Sequence, residues 1–381
     1  MRGSSTVKNY TFHLFLFCLA LVTTTLAGAE WMAAKPLLVV TTQWRIIRLL
    51  TDQQVLNGLY YSLPFLGVLT AHEFGHYFTA RYYRIRVTLP YYIPFWFPLL
   101  PTIGTMGAVI KIKDRIFSKK EFFDVGIAGP LAGFIVAIPL LWYGFTHLPA
   151  PEHIFTIHPE YKKYGLDYAS KVYQDTGNST ALGKNLLFIF FEKFVAPDPV
   201  LVPNHYELMH YPYLFAGFLS LFFTAMNLLP IGQLDGGHIL YGLIGFRNFN
   251  RISPIFFIIF IFYAGLGIVG PHTPPDERYW QFSLYAAYLY VVFEKITPNT
   301  QLALMLTATM FCLHMGLAFV FPGTKGYPGW LVFGLLLSRL LGIFHPPAPD
   351  EAPLSTGRKV LGWFAVLIFL LSFSPAPFLY E

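Results

Sequence analysis

Cysteine is nearly absent from this chain: Cys18 and Cys312 are the only two among 381 residues. Both fall inside apolar runs, so neither a disulfide framework nor a CxxC-type metal site is open to it. Any bound metal must use histidines and carboxylates. Charge is the second scarcity, with 12% of residues charged against 55% hydrophobic. That balance excludes an ordinary soluble globular protein. The net charge of +6 does not mark a nucleic-acid surface, because most Lys and Arg stand beside apolar runs, where they orient a membrane chain.

What the chain has in abundance is apolar length. Runs long enough to cross a bilayer, about 17 to 25 residues each, occur near 11–29, 56–80, 122–146, 211–244, 252–270, 279–296, 301–321, 328–343 and 358–373. They predict an all-α polytopic membrane protein with about nine transmembrane helices. The first run has features of a signal peptide, since Arg2 and Lys8 precede it and Ala27-Gly28-Ala29 resembles a cleavage site. Its length favours a retained span. With Met1 on the cytoplasmic side, the cytoplasmic connections collect Arg81, Arg84, Arg86, Lys111, Lys113, Arg115, Lys119, Lys120, Arg247, Arg251 and Lys295. The short connections on the opposite side carry far fewer, Lys35, Arg45, Arg48, Arg278 and Lys325, the asymmetry expected of a positive-inside topology. The expected organisation is an N-terminal span and short extracytoplasmic segment over 1–55, a motif-bearing core over 56–250, and a C-terminal bundle of about five helices over 251–381.

Two connections are long. Residues 81–121 begin basic, pass through the proline-rich "LPYYIPFWFPLLPTIG" and then alternate as "GAVIKIKD". The prolines forbid a continuous helix, and the alternation predicts an exposed strand near 107–113, in a small membrane-associated hairpin or loop. Residues 147–210 carry a turn signal at "DTGNST" and an amphipathic stretch at "LGKNLLFIFFEKFV". This connection is expected outside the cytoplasm and is too short for a further folded domain of about 100 residues.

The polar residues inside the apolar runs carry the chemistry. "HEFGH" at 72–76 puts His72 and His76 on one face of a helix, a turn apart, where both imidazoles reach one cation. Glu73 sits beside them as a carboxylate able to take a proton from water at the metal. An ionisable side chain at bilayer depth costs roughly 2.5–3.5 kcal/mol, so three within five residues need a partner, and a cation is one. A catalytic zinc takes about three protein ligands. The candidate third is Asp235 in "TAMNLLPIGQLDGGHILYG", the only carboxylate in its apolar run. Pro230, Gly232, Gly236 and Gly237 would break the helix around it, which membranes tolerate where the backbone is buried in protein or lines a wet cavity. Asn227 could donate to a developing oxyanion or make an interhelical hydrogen bond. His238 stays outside the ligand set, and His314 reads as a packing histidine.

At this point the residues match a known pattern. HEFGH, then "GIAGPLAGF" at 126–134, then "NLLPIGQLDGG" at 227–237 resemble, in that order, the site-2 protease family of intramembrane zinc metalloproteases, the M50 type. "GTMGAVIKIKD" looks most like its chloroplast EGY-type and bacterial branch, and the family's PDZ and cystathionine-synthase-type additions are not seen. The resemblance implies one Zn2+ per chain on His72, His76 and Asp235, with Glu73 as general base and Asn227 supporting the transition state. It also implies helix packing at Gly129 and Pro130. Substrates would be transmembrane proteins, captured along Gly107, Ala108, Val109 and Ile110 by strand addition. Expected partners are those substrates and the lipid bilayer, with a homo-oligomer left open and nucleic acid excluded. A catalytically silent scaffold of the same family is the first alternative, disfavoured by the intact Glu73. A divalent-cation transporter is the second, but it would need polar stations along several spans. The lack of a transit-like extension before the first span favours a prokaryotic cell membrane over a plastid one, with the site towards the cytoplasm.

Overall fold

The computed structural model describes residues 2–98, 100–174 and 180–380, with only the backbone described for 2–9 and 380. The turn expected at "DTGNST" lies outside the described residues except for Thr180. In chain order the helices are α1 (Arg2–Ala33), α2 (Asp52–Asn57), α3 (Leu59–Tyr82), α4 (Lys119–Thr146), the single turns α5 (Ile154–Ile157) and α6 (Ala169–Val172), and α7 (Leu186–Phe194). They continue as α8 (Pro212–Asn227), α9 (Asp235–Ile244), α10 (Phe246–Gly265), α11 (Pro275–Phe293), α12 (Thr300–Val320), α13 (Gly329–Leu336) and α14 (Thr356–Ser372). The strands β1 (Leu38–Val40) and β2 (Ile46–Arg48), β3 (Tyr91–Phe97) and β4 (Leu100–Val109), and β5 (Thr180–Leu182) and β6 (Phe378–Tyr380) form three antiparallel pairs.

The protein is mostly helical, and four of its described helices are long and apolar enough to cross a membrane on their own: Tyr10–Ala33, Lys119–Thr146, Phe246–Gly265 and Thr300–Val320. Other expected spans coincide with helices that are shorter or more polar. The run 211–244 is two helices separated by residues 228–234, the break that its proline and glycines predict.

The chain divides into two compact units. The first comprises 1–116, 127–226 and 367–381. Its core is aromatic: Tyr61 stacks on Phe65 and on Phe215, with ring centroids 5.4 Å apart in both cases. Helix α1 is built into this core, with Ala20 and Ala27 fully buried. Small residues bring α1 and α3 together, since a Cβ at Gly58 would strike the backbone carbonyl of Thr25. This is how helices approach in a medium that gives no hydrophobic drive between them. Thr24 and Ser62 add a buried hydroxyl contact of 2.5 Å across the same crossing.

The β3–β4 hairpin stands on α1 and α3. Tyr61 donates to the carbonyl of Ile103 at 2.8 Å, Thr70 meets the Tyr92 hydroxyl at 2.7 Å, and Trp31 donates to the carbonyl of Thr102 at 2.8 Å. A Cβ at Gly104 (φ +87°) would run into the backbone of Thr24. The strand expected near 107–113 lies instead at Leu100–Val109, with a single bridge from Val87 to Ile112 beyond it. The reason is that a two-stranded ribbon has an open edge on each strand, so prolines are tolerated there without a lost ladder bond. The register slips between Tyr92 and Pro94 and between Phe95 and Phe97, which marks extra residues in β4 as bulges. The base of the hairpin is tied by Arg86, whose guanidinium holds the Asp114 carboxyl below its usual range by hydrogen bonds as short as 2.6 Å.

The second unit comprises 117–126 and 227–366. Arg358 forks onto Asp124 with two bonds of 2.8 Å, and Arg339 pairs with Glu294 at 2.6 Å. His314 is the packing residue anticipated for it, held by the Tyr285 hydroxyl at 3.0 Å and the Phe262 carbonyl at 2.9 Å.

The α1–α3 crossing yields a stability test. Gly58→Val should destabilise the protein by about 1–3 kcal/mol through overpacking, read as a lower thermal midpoint in detergent. Gly67→Ala, within α3 and with nothing within 4 Å of the added methyl, should leave the midpoint unchanged or slightly raised. Equal midpoints for the two variants would show that the crossing is not close-packed.

Candidate metal site

Helix α3 carries the HEFGH stretch at depth in the first unit, and His72, Glu73 and His76 are all buried. The i, i+4 spacing does what the sequence requires of it: the two Nε2 atoms face each other at 3.0 Å. Two ligands of a tetrahedral zinc, each about 2.0–2.1 Å from the ion, stand about 3.3 Å apart, so the imidazole pair already has nearly the bite of a bidentate nitrogen site. Glu73 Oε1 lies 3.9 Å from His72 Nε2, beyond hydrogen-bond range yet close enough to act on a group held there. Two neutral imidazoles with an adjacent carboxylate form a donor set that fits a divalent transition cation.

Helix α4 explains why the imidazoles can sit so deep. A Cβ at Gly129 would overlap the ring of His76, a Cβ at Gly133 would come within 3.2 Å of the His72 Cβ, and one at Gly75 would strike the Ala128 carbonyl. Glycines four residues apart on α4 thus receive histidines four residues apart on α3. Pro130, next to Gly129, is buried inside the helix. Gly133 was not singled out from sequence, although its spacing from Gly129 repeats that of the HExxH pair.

In the second unit, Asp235 opens α9, in its first turn, where the helix dipole favours an anion. The glycines of "LDGGH" have a steric reason. A Cβ at Gly236 would strike the Leu228 carbonyl and one at Gly237 the Gly232 carbonyl, so the chain before α9 folds directly onto its first turn. Gly232 takes φ +60° and donates to Ser253 Oγ at 2.9 Å, and Ser253 in turn donates to the Ile343 carbonyl at 2.7 Å. Asn227 is the last residue of α8, half-buried. His238 is engaged by His345, Nδ1 to Nε2 at 2.7 Å, and stacks on Phe122. Burial pushes His345 down to about 4, and its Nδ1 meets the Pro346 carbonyl at 2.6 Å. His345 escaped the sequence reading because "FHPPAP" carries no spacing signal.

The substrate-binding candidates Gly107, Ala108 and Val109 end β4, followed by Ile110. Gly107 has φ +104° and accompanies the bulge, while Val109 is exposed and Ala108 and Ile110 are half-buried.

Comparison with known proteins identifies related chains. Similar chains include a probable zinc metalloprotease EGY2, chloroplastic, from Oryza sativa subsp. indica, 26% identical over 287 residues, covering 67% of this chain and 48% of the relative. The probable zinc metalloprotease EGY1, chloroplastic, from Oryza sativa subsp. japonica is 27% identical, covering 64% of this chain and 39% of the relative. An Arabidopsis thaliana EGY2 protein is 24% identical, covering 61% and 41% respectively. The chain therefore spans about half the length, or less, of these curated relatives. No solved structure matches. The family model described as Peptidase family M50 matches residues 60–269, more than half of the chain and the whole stretch from the HEFGH helix through α10. On that match, the chain belongs to Peptidase family M50.

Proposed function

We propose that this membrane protein is a zinc-dependent endopeptidase that hydrolyses peptide bonds within or near transmembrane segments of other membrane proteins. The observation that carries the reading is the pair of buried imidazoles 3.0 Å apart on α3 with Glu73 beside them. His72, His76 and Asp235 are the residues that would hold Zn2+, one per chain. When bound, zinc polarises a carbonyl oxygen and acidifies water. Glu73 takes the proton released by the attacking water and passes it to the departing amine. Asn227 donates a hydrogen bond to the oxygen on which charge develops. The chain is read as crossing the membrane about nine times, with Met1 and the site towards the cytoplasm of a prokaryotic cell membrane, on the asymmetry of Lys and Arg. The EGY relatives are chloroplastic by name, which describes those proteins.

A transmembrane substrate hides its peptide bonds in its own helical hydrogen bonds and must unwind before attack. The hairpin supports a route: an unwound segment adds to an open edge of the β3–β4 ribbon at Gly107–Ile110.

Three outcomes test this reading. Glu73→Gln should retain zinc by metal analysis and slow cleavage of a single-span substrate by about 10²–10⁴-fold, whereas Asp235→Asn should lower zinc content; undiminished cleavage by the Glu73 variant would remove it as the base. Proline at Val109 or Ile110 should raise KM for the same substrate by blocking a strand hydrogen bond, and an unchanged KM would count against capture at that edge. Gly129→Val should displace His76 and reduce zinc occupancy, while Gly67→Ala should not; equal occupancies would mean that the α4 contact does not position the ligand.

A further inference from the structure

A second cluster of metal-ligating groups lies wholly within the first unit, in the connection between α4 and α8. His158 follows α5, and Glu207 and His210 sit just before α8. His158 Nε2 and His210 Nε2 are 3.5 Å apart. Glu207 Oε2 is 3.4 Å from the second and 3.9 Å from the first. The Glu207 side chain is fully buried, and its Oε2 has no hydrogen-bond partner.

The outer contacts fix the protons. His158 Nδ1 lies 3.0 Å from Glu160 Oε1, and His210 Nδ1 meets the Trp31 carbonyl. Both partners are acceptors, so Nδ1 carries the hydrogen in each ring and the Nε2 lone pairs point inwards. Tyr173 donates to the other oxygen of Glu207. With the imidazoles neutral and the carboxylate ionised, three electron-pair donors converge, an arrangement that repels unless a cation or a shared proton occupies its centre. The triangle of those three separations has a circumradius of about 2.1 Å, which matches zinc–nitrogen and zinc–oxygen bond lengths of about 2.0–2.2 Å.

We propose that His158, Glu207 and His210 form a second divalent-metal site, separate from the HEFGH helix, that takes Zn2+ or a similar transition cation. Two imidazoles and a carboxylate suit such an ion better than a hard one such as Ca2+. Its consequence is mechanical. The ion ties the segment around His158 to the residues leading into α8, and through the Trp31 carbonyl to the end of α1, which also holds the hairpin at Thr102. The site would thus brace the first unit outside the membrane span.

The test is zinc content per purified full-length chain, after Zn2+ loading and removal of excess, with the fold checked by gel filtration. The His72→Ala/His76→Ala variant should keep about one equivalent, and adding His158→Asn should remove it. His158 is chosen because it is the most exposed of the three ligands, with 18% of its side chain accessible, so its loss is the least disruptive to folding. If the His72/His76 variant binds none while the unaltered chain binds zinc, or if a folded His158→Asn addition keeps the ion, the proposal is overturned and a shared proton holds the cluster. If the unaltered chain loses its only equivalent through His158→Asn, the second site stands and the reading of the HEFGH site fails. A second measurement reads stability: chelator should lower the thermal midpoint of the His72/His76 variant, and an unmoved midpoint in a variant that still carries zinc would refute the bracing role.

Discussion

Burying ionisable side chains in an apolar helix is the constraint from which the rest of this architecture follows. Each such group costs several kcal/mol to desolvate in its charged form unless it finds a partner, and α3 buries His72, Glu73 and His76 within a little more than one turn. That cost is met by close packing as well as by the chemistry of the group they would hold. Gly129 and Gly133 open spaces on α4 into which the His76 and His72 side chains fit. Packed in this way, the two imidazoles are buried and their Nε2 atoms converge to 3.0 Å. The glycine motif thus has a local steric meaning, since the smallest side chain leaves the space in which a ring can rest.

The same economy governs the start of α9. A carboxylate in the first turn of a helix faces the positive end of the peptide dipoles, which makes that position suitable for an anion in a low-dielectric setting. Getting a helix to restart there requires the preceding chain to fold back on it, and the fold-back brings loop carbonyls against Gly236 and Gly237. Ser253 accepts from the Gly232 amide and donates its hydroxyl hydrogen bond to the Ile343 carbonyl. The Gly232 amide at the break is therefore satisfied within protein.

Much of this was legible in the sequence because periodicity and ionisable groups are strong signals in apolar chains. The HExxH spacing identified the face shared by His72 and His76, and proline with glycine located the break between α8 and α9. Other features needed long-range geometry. His345 engages His238 across more than a hundred residues of chain, and neither has a spacing that announces the other. The β4 strand lies several residues earlier than its sequence predicts, because alternation in "GAVIKIKD" is a stronger strand signal than the proline-rich stretch before it. An open-edged ribbon lowers the cost of proline and reverses that order. The His158, Glu207 and His210 cluster was invisible for the same reason as His345, since its members are brought together by the fold.

The hairpin connects these local arguments to function. Its β3 strand exposes Ile93, Phe95 and Phe97, alternate residues on one face, and β4 exposes Leu100, Met106 and Val109. In a soluble protein such a ribbon would invite aggregation, and its bulges and short length would do little to prevent it. Beside a bilayer the same apolar face is compatible with its surroundings, and the unpaired backbone along its edges is the costly feature. An unwound transmembrane segment has the complementary problem, because it carries backbone groups stripped of helical partners in a medium that offers none. On the proposed route, pairing the two would satisfy both sets of groups at once. The proposed capture would thereby lower the cost of exposing a peptide bond in a membrane where hydrolysis requires it to be open.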